Sequence, residues 1–174
     1  LTGPLAKQGA SVFVQLLPFM EQQPLFDQFD IHTNLIWAPG PWNWNNPELV
    51  VALATEIPEL TCPSDGERET HTKYKHNVPD SVSIATGSYA AVCGDVGPPA
   101  IGEDFLKDER SDSRGRPFAM KYNNTGVFFY AHQIKASQIT DGMSNTMFFG
   151  ETILGHLSEH NNIWSNGNRG TSSM

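Results

Sequence analysis

Apolar and polar positions fall in blocks along the chain, and the most ordered block spans residues 126–151, GVFFYAHQIKASQITDGMSNTMFFGE. Within it, two strongly apolar runs flank a short polar element. GVFFY (126–130) reads as a strand, and IKASQI (134–139) supplies Ile134 and Ile139 to a short helical turn. After the turn pair Asp141-Gly142, TMFF (146–149) reads as a second strand. Ser144 and Asn145 follow the turn, where short polar side chains bond readily to nearby backbone, so both read as local caps. This stretch is expected at the centre of the core, with Asp141, Gly142, Asn145 and Glu151 holding its turn in shape.

In residues 11–29, SVFVQLLPFMEQQPLFDQF, two patterns compete. Val12 and Leu16 lie four apart, as do Phe13 and Leu17, which suits one helical face, yet Val12, Val14 and Leu16 also alternate as in a strand. Pro18 favours a short helix that begins near it, because proline is tolerated in a first turn and damages an interior one. Pro24 starts a further turn, with Leu25, Phe26 and Phe29 facing inward. Asn46-Pro47 opens a helix over residues 48–56, in which Leu49, Ala52 and Leu53 share a stripe, and Ile57-Pro58 ends it. CPSDG (62–66) is a turn, and ERETHTKYKHN (67–77) reads as a solvated loop. Residues 81–92 return to strand-like sequence, with Val82, Ile84, Tyr89 and Val92 as buried candidates. Residues 94–117, rich in proline and then in charge, read as a surface insertion. The tail after Glu151 is polar, with Trp164 as a lone packing residue.

Composition changes this picture little but narrows the function. The chain has 174 residues, enough for one domain with a real core. Charged residues make up 17%, which favours turns and loops, and the net charge of −8 argues against nucleic acid as a partner. No run of 18 apolar residues is present, so no membrane helix is expected within the chain. Leu1 in place of an initiator methionine points to a mature or trimmed product. Cys62 and Cys93 leave two alternatives, a disulfide of an exported protein or two buried thiols; the disulfide is the expectation, contributing about 3–4 kcal/mol if unstrained. Asn123-Asn124-Thr125 is a formal N-glycosylation signal at Asn123.

No catalytic constellation emerges. Asp141 and Glu151 form the best carboxylate pair, but ten extended residues span about 33 Å, whereas glycosidase carboxyls stand about 5–9.5 Å apart. Asp141, Ser144 and Asn145 could give oxygen ligands to calcium from one turn, although EF-hand spacing is absent and a capped turn is the simpler reading. The GxSxG turn of serine hydrolases is missing. His132, His156 and His160 do not form an HExxH pattern, and His71 and His76 stand among lysines, so no zinc site is expected. Arg110, Arg114 and Arg116 lack a glycine-rich turn to cradle phosphate. Trp37, Trp42 and Trp44 read first as loop and core packing, with a sugar-stacking surface as the alternative. The chain is thus expected to carry no enzymatic activity and no cofactor other than, at most, calcium.

Several strings in order carry more information than any single motif. LLPFMEQQPLFDQFD (16–30), LTCPSD (60–65), GSYAAVCG (87–94), NTGVFF (124–129) and ITDGMSNTMFFGE (139–151) closely resemble the DUF1559 family over nearly all of residues 10–155. The resemblance implies an α+β protein, a single pilin-like or pseudopilin-like globular head over residues 1–174 with an antiparallel β-sheet, short helices and long irregular loops. It implies export to the periplasm, cell surface or medium, from a precursor inserted in the membrane through a prepilin-type N-terminal helix. That helix is not found before Leu1, and the family's usual histidine-containing segment with a second Asp-Gly does not follow Glu151. Partners would be copies of itself or related pilin-like subunits; the alternative function, a carbohydrate-binding module using Trp37, Trp42 and Trp44, would bind cell-surface glycans. Matched residues are Pro18, Glu21, Gln22, Cys62, Pro63, Tyr89, Asp141, Gly142, Ser144, Asn145, Thr146, Gly150 and Glu151, all with structural roles implied.

Overall fold

Ser11 settles the ambiguity of the N-terminal run. In the computed structural model, which describes residues 10–32, 46–66, 71–72, 82–92, 94, 125–128, 133–152 and 163–165, Ser11 is extended and its side chain accepts from the Val14 amide at 3.3 Å. This N-cap starts helix α1, Val12–Leu16, six residues before the start expected at Pro18. Phe13, Val14 and Leu17 are buried, a helical spacing, so burial selects helix over strand. Pro18 cannot donate to Val14, and Leu17 does so instead, which tightens the chain into a 3-10 turn, Leu17–Met20. Glu21 closes that turn in the left-handed region at φ 59°.

Helix α2, Gln23–Phe29, carries Pro24 in its first turn as expected and buries Leu25 and Phe29, four residues apart. Helix α3, Pro47–Ala54, begins where Asn46 accepts from the Glu48 and Leu49 amides at 3.0 and 3.4 Å. Its Leu49, Ala52 and Leu53 face the core, as their spacing requires. It stops two residues before Glu56, because the Thr55 amide turns back to Ala52. The longest of these helices has eight residues, and no helix among the described residues is long and apolar enough to cross a membrane.

Two short antiparallel pairs complete the α+β fold. β1 (His71–Thr72) pairs with β2 (Ile84–Ala85) in the register His71↔Ala85, so at these two positions the expected solvated loop is a paired strand. β3 (Tyr89–Ala91) pairs with β4 (Phe149–Glu151) in the register Ala90↔Gly150. β4 thus begins three residues later than the expected strand 146–149. Thr146 is held in the preceding turn by its own hydroxyl, which donates to Gly142 O at 3.0 Å. The expected strand 126–130 is not formed at Gly126, Val127 or Phe128, although the Phe128 amide reaches Val92 O at 3.4 Å. Its remaining residues lie outside the described ones.

The core lies between the three helices and β2. Leu17, Phe29, Leu49, Leu53, Ile57 and Ile84 are each fully or almost fully buried, joined by Ile163 and Trp164 from the tail. No described residue of 126–151 belongs to this core, so the stretch expected at its centre lies at its edge. Among the described residues Trp164 is the largest fully buried side chain; its indole N–H donates to Thr55 O at 3.2 Å and its ring meets Phe29 edge-on at 5.5 Å. Residues 163–165 tie distant parts of the chain together: Ser11 Oγ donates to Trp164 O, the Ser11 amide donates to Ser165 O at 3.1 Å, and Ile163 bridges Thr86.

Candidate functional site

Residues 133–146 form a chain of local turns presented to solvent and lead into β4. The Lys135 amide donates to Gln138 Oε1 at 2.8 Å, and the turn Ala136–Gln138 leads through Ile139 to Asp141-Gly142. Gly142 sits at φ 82° with nothing within 4 Å of where a Cβ would stand. Glycine is therefore required there by backbone conformation and not by space. Asn145 acts as the cap its position suggested, donating through Nδ2 to Asp141 O at 2.9 Å, while its amide bonds Gly142 O at 3.0 Å. No side-chain bond is present for Ser144 among the described residues. Asp141, Ser144, Asn145 and Glu151 are all exposed.

The carbonyls of Asp141 and Gly142 are thus already engaged by this turn's own donors. Among the described residues, no group of three or more His, Cys, Asp or Glu side chains is placed to hold a metal. Apolar side chains stand out beside these polar ones. Met143 is 56% exposed, Met147 68% and Phe149 38%. Phe149 also anchors the strand to the body, with its ring 5.0 Å from Phe128 and 5.5 Å from Phe13 of α1.

A second locus joins strings far apart in sequence. The Ser88 amide donates to Leu60 O at 2.8 Å, and Ser88 Oγ donates to Asp65 Oδ2 at 2.9 Å. The CPSDG turn is therefore fixed to the start of β3, and Ser88 is fully buried. Gly87 makes the approach fit: a Cβ there would stand 3.2 Å from both Leu60 O and Trp164 Cβ. Sequence reasoning missed Asp65, Gly87 and Ser88 as a unit, although each lies inside one of the strings that carry the family resemblance. Cys62, at the head of this turn, is half-buried with a free thiol. Its expected partner Cys93 lies outside the described residues. So do Trp37, Trp42, Trp44, Asn123, His76, His132, His156, His160, Arg110, Arg114, Arg116 and residues 95–117 of the expected insertion.

Three of the resemblance strings meet in space: LTCPSD bonds to the start of GSYAAVCG, whose β3 pairs with the FGE of ITDGMSNTMFFGE. A fourth, LLPFMEQQPLFDQFD, supplies Leu17, Leu25 and Phe29 to the core beneath them. This arrangement defines a small α+β fold in which β2 joins the helical core and the β3–β4 pair lies at its margin. The chain belongs to the family described as a protein of unknown function (DUF1559), whose model matches residues 2–173. No curated protein and no solved structure matches it.

Proposed function

We propose that the chain is the exported head of a pilin-like or pseudopilin-like subunit, a structural protein whose work is contact with copies of itself or related subunits. The observation that carries this reading is Phe19. It is 83% exposed, on a 3-10 turn whose neighbour Leu17 is fully buried, so a large apolar ring is held in water by a rigid support. With its backbone held in that turn, the ring has only its side-chain rotamer freedom to lose when it meets a partner, which suits a recurring protein contact. The turn belongs to the LLPFMEQQP string that carries the family resemblance. No observation favours a glycan-binding role for Trp37, Trp42 and Trp44.

The test uses the full-length protein in its own cells, with Phe19→Cys and a short bis-maleimide crosslinker, followed by shearing of surface structures. Adducts between this chain and itself or a related subunit, in the sheared fraction, are the expected result. A chain that stays inside the cell, or reaches the surface without any such adduct, would overturn the reading.

A further inference from the structure

Among the described residues one edge of β4 is unpaired, and the strand's pattern of hydrogen bonds determines which groups face it. The Val92 amide donates to Phe148 O at 2.9 Å and the Thr152 amide to Ser88 O at 2.8 Å, which makes 92↔148 and 88↔152 hydrogen-bonded positions. By the alternation of an antiparallel ladder, 90↔150 is one too, whereas Tyr89↔Glu151 and Ala91↔Phe149 are not. The N–H and C=O groups of Phe149 and Glu151 therefore point away from β3. Among the described residues nothing bonds to them. Phe149 and Glu151 share one face with Met147, and all three side chains are exposed. Exposed apolar side chains, Met147 and Phe149, and outward backbone groups, on Phe149 and Glu151, thus meet at Phe149, where an edge strand can pair with another chain.

We infer that this edge pairs with β4 of a second copy of the chain, antiparallel and two-fold symmetric about Gly150. The register is self-complementary. With Gly150 facing Gly150, Phe149 lies opposite Glu151 of the second copy in a hydrogen-bonded pair, and Glu151 lies opposite its Phe149. Two such pairs exchange all the outward N–H and C=O groups of these residues. Glu151 never directly faces its own counterpart; the two Glu151 side chains lie on the seam's other diagonal, exposed to solvent. Gly150 occupies the closest approach, where facing Cα atoms stand about 4.5 Å apart, and brings no side chain to it. The two Phe149 rings become diagonal neighbours, within aromatic reach, and Met147 flanks each of them. The result is a continuous four-stranded sheet, β3-β4-β4-β3, across the two copies. The pairing is separate from the Phe19 contact and does not require filaments.

Sedimentation velocity of the whole chain from micromolar to millimolar concentration, at moderate salt, tests this. A monomer–dimer equilibrium is expected, with the Phe149 and Glu151 amide signals shifting on dilution. Glu151→Pro removes an outward donor without touching the β3·β4 ladder, and is expected to weaken the dimer by about tenfold or more. A charge contrast guards against an effect on folding. Phe149→Lys and Phe149→Glu lose the same ring, but Lys would face Glu151 of the second copy and Glu would repel it, so the Lys variant is expected to dimerise about tenfold more tightly than the Glu variant. A chain that remains monomeric throughout, or a self-association indifferent both to Glu151→Pro and to the sign at position 149, would overturn the inference.

Discussion

Residues 139–151 and residues 163–165 differ in almost every respect that matters for stability. The first is a long motif whose turn is held by local bonds and which reaches distant residues only from Phe148 onward: Asn145 reaches Asp141, Thr146 reaches Gly142, and Asp141, Met143, Ser144 and Asn145 remain exposed. The second is three residues long, fully or nearly buried, and its bonds cross the chain to Ser11, Thr55 and Thr86. A turn that satisfies its own backbone can be changed without disturbing the rest of the fold. A clasp that joins the N-terminus, α3 and β2 cannot. Strength of motif in the sequence therefore marks where the backbone needs special conformations, while stability is concentrated where long-range contacts meet.

The largest effect that sharpens this contrast is expected from Trp164→Ala, which removes the biggest buried side chain, its ring contact with Phe29 and its bond to Thr55. Denaturant unfolding should show a loss of about 3–5 kcal/mol. Ser11→Ala should cost about 1–2 kcal/mol, because it removes both the cap of α1 and a buried bond to Trp164 O. Gly142→Ala imposes a side chain at φ 82° in open surroundings, and about 1 kcal/mol of destabilisation is expected, read as a lowered melting temperature. Asn145→Ala, at the centre of the family motif, should cost no more than about 0.5 kcal/mol. Calcium should produce no binding heat at this turn by calorimetry, since the Asp141 and Gly142 carbonyls already accept bonds from Asn145 and Thr146. A reversed order, with Asn145→Ala worse than Trp164→Ala, would break the comparison.

What could be read from the sequence follows the same division. α2 and α3 were legible because their signals are local: Pro24 and Pro47 in first turns, Asn46 as a cap, and a stripe of Leu49, Ala52 and Leu53. The Asn145 cap was legible for the same reason. α1 was ambiguous because VFVQL satisfies both periodicities, and burial of Phe13, Val14 and Leu17 decided it. β4 was displaced because the Thr146 hydroxyl prolongs the turn, a choice between two local bonds that periodicity does not register. Trp164 looked like an isolated residue in a polar tail, since its partners Thr55 and Ser11 stand 109 and 153 residues from the groups they bond. Asp65 and Ser88, 23 residues apart, were hidden likewise, although family strings enclosed both.

Native-state hydrogen exchange measured residue by residue tests the central contrast most directly. The Ser11 amide, bonded to Ser165, and the Ser88 amide, bonded to Leu60, should exchange only through global unfolding. The Gly142 and Asn145 amides, bonded within their own turn, should exchange orders of magnitude faster through local opening and respond little to denaturant. Equal protection of Gly142 and Ser88, with the same denaturant dependence, would contradict the account and place the family motif inside the cooperative core.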